Sequence, residues 1–317
     1  MTLEIVPYSG NPTARARQWT SLEPDELHRR AVKACRDHDP DALWQIVEAY
    51  LVLHRTPSPH TLRAYKQGVA VVVRALEGQT VSAPHRHWGH GFARDLETRV
   101  NEAHPERAIK PGTVRSRMAA AKTLFAALRW TGATEVDPFS DVRLKADLEA
   151  AEDKRPPYPP ESVDALLAVA EPRERVLILL GAHAGLRVSE ICALRRNDVK
   201  LETRRLEVRR GKGDKPRGVN LSVRTCTAIA ALERSSGEAV IGLTAQGARA
   251  ALRRLCLRAG VPYQAVHALR HTAGTRLYRA TKDLKAVARH LGQRRVETAA
   301  VYAKYAEDDV KKVVTEW

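Results

Sequence analysis

Gly185-Leu186-Arg187-Val188-Ser189-Glu190 is followed by Gly211-Lys212-Gly213, then by His267-Ala268-Leu269-Arg270-His271, and last by Val301-Tyr302. Two guanidiniums, an ammonium, an imidazole and a phenol thus occur in order within the last half of the chain. Cations of this kind clamp a phosphodiester, a base takes up a proton, and a phenol oxygen attacks phosphorus. Taken singly, each fragment reads as ordinary surface, since most arginines are solvated and a lone His-x-x-Arg is a polar helix face. The ordered set carries the reading.

The neighbours of each fragment sharpen it. Arg187 follows a glycine break and precedes a helix start, with Ser189 as the expected cap, so its side chain sits where helix N-termini favour anions. Lys212 lies between two glycines at the tip of a hairpin running from Glu207 to Leu221. An exposed amine becomes an acid catalyst only if nearby cations or desolvation lower its pKa, and Lys215 competes with it in the same turn. His267 and Arg270 share a helix face. His271 is expected behind them, and Gly274 to allow close packing. Tyr302 and Tyr305, one turn apart, compete as nucleophile.

In context and spacing this set resembles the tyrosine recombinase/integrase family, the phage integrases and Xer-type recombinases. Upstream, Ser58-Pro59-His60-Thr61-Leu62-Arg63-Ala64-Tyr65 resembles the entry to that family's core-binding domain. Thr113 to Val142, with Phe125 and Asp137-Pro138, resembles that domain's last helix and exit; residues before about 40 carry no part of the resemblance. The resemblance implies a mainly α fold with a small β-sheet or hairpin in the C-terminal catalytic domain, preceded by a helical SAM-like core-binding domain. It implies a DNA recombinase working through a 3′-phosphotyrosyl intermediate. Tyr302 is the nucleophile, by its distance from Gly292 and Arg270. Arg187, Arg270 and Gln293 stabilise the phosphorane, His267 is the base and Lys212 the acid, and Glu190 buttresses Arg187. DNA contacts are expected from Thr61, Arg63, Lys66, Arg115, Arg117, Lys122, Lys215 and Arg217. The partners implied are double-stranded DNA, a homotetramer assembled on it, and accessory DNA-bending proteins. Neither metal nor ATP is expected, because the phosphotyrosyl ester conserves the bond energy.

Gln293 departs from the pattern. The family usually carries His or Trp there, and a glutamine amide donates a hydrogen bond without charge or acidity; His290, one turn earlier, is the alternative donor. Two other readings keep the same residues: a type IB topoisomerase that religates the strand it cut, and a DNA-binding protein that has lost the chemistry.

Composition agrees with an anionic partner. The chain has 317 residues and a formal charge of +16, with Lys and Arg spread along its length, which points to nucleic acid; a generally basic factor such as a ribosome-associated protein shares that charge. The N-terminus lacks a signal-peptide pattern, and no apolar run is long enough for a membrane span. The four cysteines, Cys35, Cys192, Cys226 and Cys256, have neither zinc-ligand nor disulfide-framework spacing. A cytoplasmic, nucleoid-associated protein is expected. His85, His87 and His90 lack acidic or cysteine partners and read as a loop, not a metal site.

Four segments follow from pattern and punctuation: a flexible arm at 1–22, a helical domain at 23–150, a linker at 151–160 marked by Pro156-Pro157-Tyr158-Pro159-Pro160, and a catalytic domain at 161–317. Arg15 and Arg17 are expected in a solvated arm, where they could touch phosphates. In the helical domain two helices are expected across Glu23–Leu53. Three more follow, one capped by Ser58 or Thr61 and running to Leu76, then Phe92–Glu102 and Thr113–Thr131. In the catalytic domain helices are expected at Glu161–Ala170, Glu174–Ala184 and Thr244–Ala259, with more to the C-terminus.

Overall fold

The computed structural model describes residues 11–101, 104–145, 156–209, 216–232, 238–293 and 295–306. The chain divides into two compact units, after Asp147.

The first unit is helical: α1 (Pro12–Thr20), α2 (Pro24–Arg36), α3 (Pro40–His54), α4 (Pro59–Ala75), α5 (Trp88–Thr98) and α6 (Pro111–Trp130). Proline opens five of these helices, where its fixed φ suits the first turn and its missing N–H costs nothing. Ser58, not Thr61, caps α4: its hydroxyl accepts from the Thr61 N–H at 3.1 Å. The Val69–Val73 run stays helical and buries Val69, Val72 and Val73. The helices α4 and α6 meet at Gly68, where a Cβ would come within 2.4 Å of that of Ala120. Trp88, Phe92, Phe125 and Phe139 form an aromatic cluster tying α5 to α6.

Two expectations are corrected here. Residues 12–20 of the expected arm are a helix: Asn11 caps it, Ala16 and Trp19 are buried, and Arg15 forks onto Glu48 at 2.7 and 2.5 Å. Arg15 is therefore committed to a buried ion pair and not to a phosphate. The helix expected over Phe92–Glu102 stops at Thr98. Leu96 is its last buried apolar residue, so nothing beyond it rewards another turn. The backbone turns into a short antiparallel ribbon, β1 (Val100–Asn101) with β2 (His104–Ala108).

The second unit contains α7 (Pro160–Val169), α8 (Pro172–Ala182), α9 (Val188–Ala193), β3 (Val199–Lys200), β4 (Arg205–Val208), β5 (Arg217–Asn220), α10 (Val223–Ala230), α11 (Ala245–Arg258), α12 (Ala265–Thr281), α13 (Leu284–Leu291) and α14 (Ala300–Lys304). The expected hairpin is β4 paired antiparallel with β5, Leu206 opposite Val219, and β3 adds a third strand. Helix α8 is the centre of the core, with Val176 to Leu180 all buried. The proline-rich stretch is not all linker. Tyr158 is 1% exposed, its hydroxyl accepts the Gln264 N–H at 2.8 Å, and its carbonyl accepts the Thr272 hydroxyl at 2.9 Å. Residues 156–160 are thereby fixed along α12, because a buried tyrosine must find partners for both its ring and its oxygen.

Candidate active site

Two backbone turns and a short helix bring the sequence-predicted residues together. At the first, Gly185 has φ +70 and a Cβ there would meet Leu291 Cδ2 at 2.3 Å. Only glycine fits both the left-handed backbone and the contact. The chain then enters α9 with Arg187 as its N-cap, and the cap partner is Glu190, not Ser189. The Glu190 Oε2 accepts the Arg187 N–H at 2.8 Å, which is the reciprocal half of a capping box, and its Oε1 accepts Arg187 Nη1 at 2.8 Å.

The second turn ends α13. Gly292 is left-handed with φ +64, and the Gln293 N–H bonds back to the Ala288 carbonyl at 2.9 Å. This closure aims the Gln293 side chain inward. Arg270 bridges the two turns: its Nη1 donates to the Gly185 carbonyl at 2.6 Å and its Nη2 to the Leu291 carbonyl at 2.7 Å. The Arg270 side chain is 2% exposed and lies 4.0 Å from Glu190. Burial, then the neighbouring Arg187, pulls its pKa down to about 10, so it stays charged at neutral pH.

The third element is α14, which carries Tyr302. His267, Arg270, His271 and Gly274 stand at i, i+3, i+4 and i+7 on one face of α12. Tyr302 packs on that face, 1% exposed, its ring centroid 5.8 Å from that of His271. His271 in turn lies edge-on to His267 at 4.8 Å. A Cβ on Gly274 would reach the Tyr302 ring at 2.5 Å, so the absence of a side chain there makes room for the phenol. Gln293 Nε2 donates to the Tyr302 hydroxyl at 3.2 Å, while Gln293 Oε1 is buried with no partner among the described residues. Burial raises the pKa of Tyr302, opposed by Arg270, Gln293 and Arg187. The site holds a protonated phenol among cations, ready to be drawn toward the phenolate when an anion and a base arrive.

Arg187, Arg270, Gln293 and Tyr302 therefore meet in one place, and His267 stands on the same helix face. Tyr305 is directed elsewhere, packing on His271 at 6.0 Å and lining a cavity with Tyr158, His183 and Arg276. His290 hydrogen-bonds the Ala184 backbone, consistent with a structural part. Lys212 and Lys215 lie outside the described residues. Thr61, Arg63 and Lys66 stand on α4, and Arg115, Arg117 and Lys122 on α6, two helices that pack together. The Thr61 hydroxyl lies 2.8 Å from that of Ser58, and Lys66 pairs with Asp41 at 2.8 Å.

One arrangement was not legible in the sequence. Arg217 forks onto Glu190, both of its Nη atoms at 2.8 Å. A separation of 27 residues leaves no local signal for this pair. Burial alone would raise the pKa of Glu190, but hydrogen bonds from Arg217 and from the Arg187 N–H, with both guanidinium charges, hold it down to about 2. Among the described residues no three metal-ligating side chains converge, and no helix is long and apolar enough to cross a membrane.

Known proteins share this chain's sequence pattern and fold. Residues 159–308, which contain every residue of the site, match the phage integrase family. The chain is 28% identical over 294 residues to tyrosine recombinase XerC of Xanthomonas campestris, covering 86% of this chain and 88% of the relative. It is 29% identical over 291 residues to tyrosine recombinase XerA of Thermococcus kodakarensis, covering 86% and 94%. The fold is shared with the XerH site-specific recombinase, solved as a post-cleavage complex with its palindromic difH substrate. That match has a TM-score of 0.66 and 17% identity, over 96% of this chain and 94% of the other. The segment that carries Arg187, Arg270, Gln293 and Tyr302 is thus the one shared with the family: the chain belongs to the tyrosine recombinases.

Proposed function

We propose that this protein is a site-specific DNA recombinase that cuts and rejoins strands through Tyr302. The observation that carries the reading is the convergence of the Tyr302 hydroxyl, the Gln293 amide and the Arg270 and Arg187 guanidiniums in one place. The Tyr302 oxygen forms a bond to the scissile phosphorus as the bond to the 5′-oxygen breaks. The phenol proton passes to His267, and Lys212 protonates the departing 5′-oxygen. A 5′-hydroxyl from a partner strand then reverses the step, so the phosphodiester energy is retained. Arg187 and Arg270 bind the non-bridging oxygens, where fixed cations in a buried site stabilise the developing charge. Gln293 reaches the same oxygens by exchanging its hydrogen bond to Tyr302 for one to phosphate.

Duplex DNA is the partner, held by Thr61, Arg63, Lys66, Arg115, Arg117 and Lys122 in the first unit and by Lys215 in the second. Strand exchange between two duplexes engages four copies of the chain, with DNA-bending proteins as accessories. The test is a duplex selected from a random pool by this protein's own binding and nicked beside the cleavage position, so that covalent adduct accumulates. Wild type and Tyr305→Phe form the adduct, and Tyr302→Phe forms none while binding the duplex normally. Adduct from Tyr302→Phe, or none from wild type, overturns the proposal. Supercoil relaxation without strand exchange assigns the same chemistry to a topoisomerase.

A further inference from the structure

A basic residue at the foot of a DNA-facing hairpin reads from sequence as a phosphate contact, and Arg217 was expected to be one. Its surroundings argue otherwise. Both Nη atoms are bound to Glu190 at 2.8 Å, and Nε is buried. The side chain is 12% exposed, and its stem crosses Gly292, where an added Cβ would meet Arg217 Cδ at 2.6 Å. A guanidinium so placed gives both ends of its fork to Glu190.

Glu190 is the centre of the arrangement. It accepts four hydrogen bonds, from the N–H and Nη1 of Arg187 and from both Nη atoms of Arg217. Four is the acceptor capacity of a carboxylate, so its orientation is fully determined, and with it that of Arg187. Orientation has an electrostatic cost. A buried carboxylate 4.0 Å from Arg270 and in contact with Arg187 cancels part of the field those two cations offer a phosphate. Arg217 supplies the opposing charge. Three guanidiniums against one carboxylate leave two positive charges, which matches the two negative charges of a pentacoordinate phosphorane.

We propose that Arg217 is a positioning residue of the cleavage site: it locks Glu190 so that Glu190 can orient Arg187, and it neutralises Glu190 so that Arg187 and Arg270 keep their charge for the phosphate. This rests on the recombinase reading. It differs from a phosphate contact in what it leaves untouched: DNA affinity and its salt dependence.

The test compares wild type, Arg217→Ala, Arg217→Lys and the double variant Arg217→Met with Glu190→Gln. Single-turnover adduct formation on the nicked duplex and equilibrium binding across a salt series are measured at a temperature where circular dichroism shows each variant folded. Arg217→Ala is expected to slow adduct formation by roughly a hundredfold, on the scale of a lost preorganised donor, with affinity within about twofold of wild type. Arg217→Lys keeps the charge without the bidentate fork and recovers only part of the rate. The double variant removes the carboxylate charge together with its counter-charge and is expected to cleave faster than Arg217→Ala. Weaker binding with a salt slope reduced by about 0.9 in Arg217→Ala makes the residue a phosphate contact and overturns the proposal. Wild-type cleavage by Arg217→Ala overturns it as well, as does a double variant no faster than the single. If Arg217→Ala does not fold, Arg217→Lys decides alone: full activity with normal binding refutes the need for the fork. Failure of the wild type to form adduct refutes the recombinase reading instead, so the two failures are distinct.

Discussion

Gly274→Ala is the smallest substitution that tests whether the observed pose of Tyr302 is the attacking one. The new Cβ would stand 2.5 Å from Cε1, 2.6 Å from Cζ and 2.8 Å from Cδ1 of the tyrosine ring. To reach ordinary contact at 3.4 Å the ring must retreat by about 0.9 Å, and Gly274 cannot yield because it is held in the middle of α12. The hydroxyl moves with the ring, out of its place beside Gln293. A misplacement of about 1 Å in a reacting group costs on the order of a hundredfold in rate. The stability effect is smaller, because overpacking costs about 1–3 kcal/mol while Ala in place of Gly returns about 1 kcal/mol of helix propensity. The assay is single-turnover adduct formation on the nicked duplex, with thermal unfolding and DNA affinity as controls. A hundredfold slower variant that melts within a few degrees of wild type and binds DNA equally supports the pose. An unchanged rate with an unchanged fold refutes it, because Tyr302 must then leave the Gly274 cradle before it attacks.

Three further outcomes are expected. Gln293→Ala slows adduct formation by roughly tenfold to a thousandfold by removing a phosphate donor, and Gln293→His retains or raises the rate; equal rates for wild type and Gln293→Ala would show that the amide never meets the phosphate. Glu190 has its folded pKa depressed from 4.5 to about 2, so its stabilisation is present above 4.5 and is lost as pH falls toward 2. Glu190→Gln should therefore destabilise the protein at neutral pH by on the order of 3 kcal/mol and flatten the acid limb of a melting-temperature profile, which an unchanged profile would contradict. DNA affinity should fall steeply with salt, log affinity losing about 0.9 per neutralised phosphate against log salt; a flat response between low and moderate salt would contradict a duplex held by both basic units.

The sequence by itself determined the identities and the order of the proposed reacting groups. It also carries local start and stop signals, because Pro12, Pro24, Pro40, Pro59, Pro111, Pro160 and Pro172 open half of the described α-helices and glycines with positive φ at 132, 260 and 292 close three. These are local signals: caps, helical spacing and turn chemistry are written within a few residues of where they act. Short helices and buried polar pairs escaped the reading. Arg15 looked like a solvated cation until Glu48 was found beside it, and Tyr158 looked like part of a linker until Gln264 and Thr272 were found to bind it. Two phenols one turn apart have the same local chemistry, and the family spacing alone favoured Tyr302 over Tyr305; the tertiary structure adds that Gly274 and Gln293 lie against Tyr302. Only it could turn Arg217 from a presumed DNA contact into the partner of Glu190. A charge's role depends on what is buried next to it, and burial is a property of the whole packed chain.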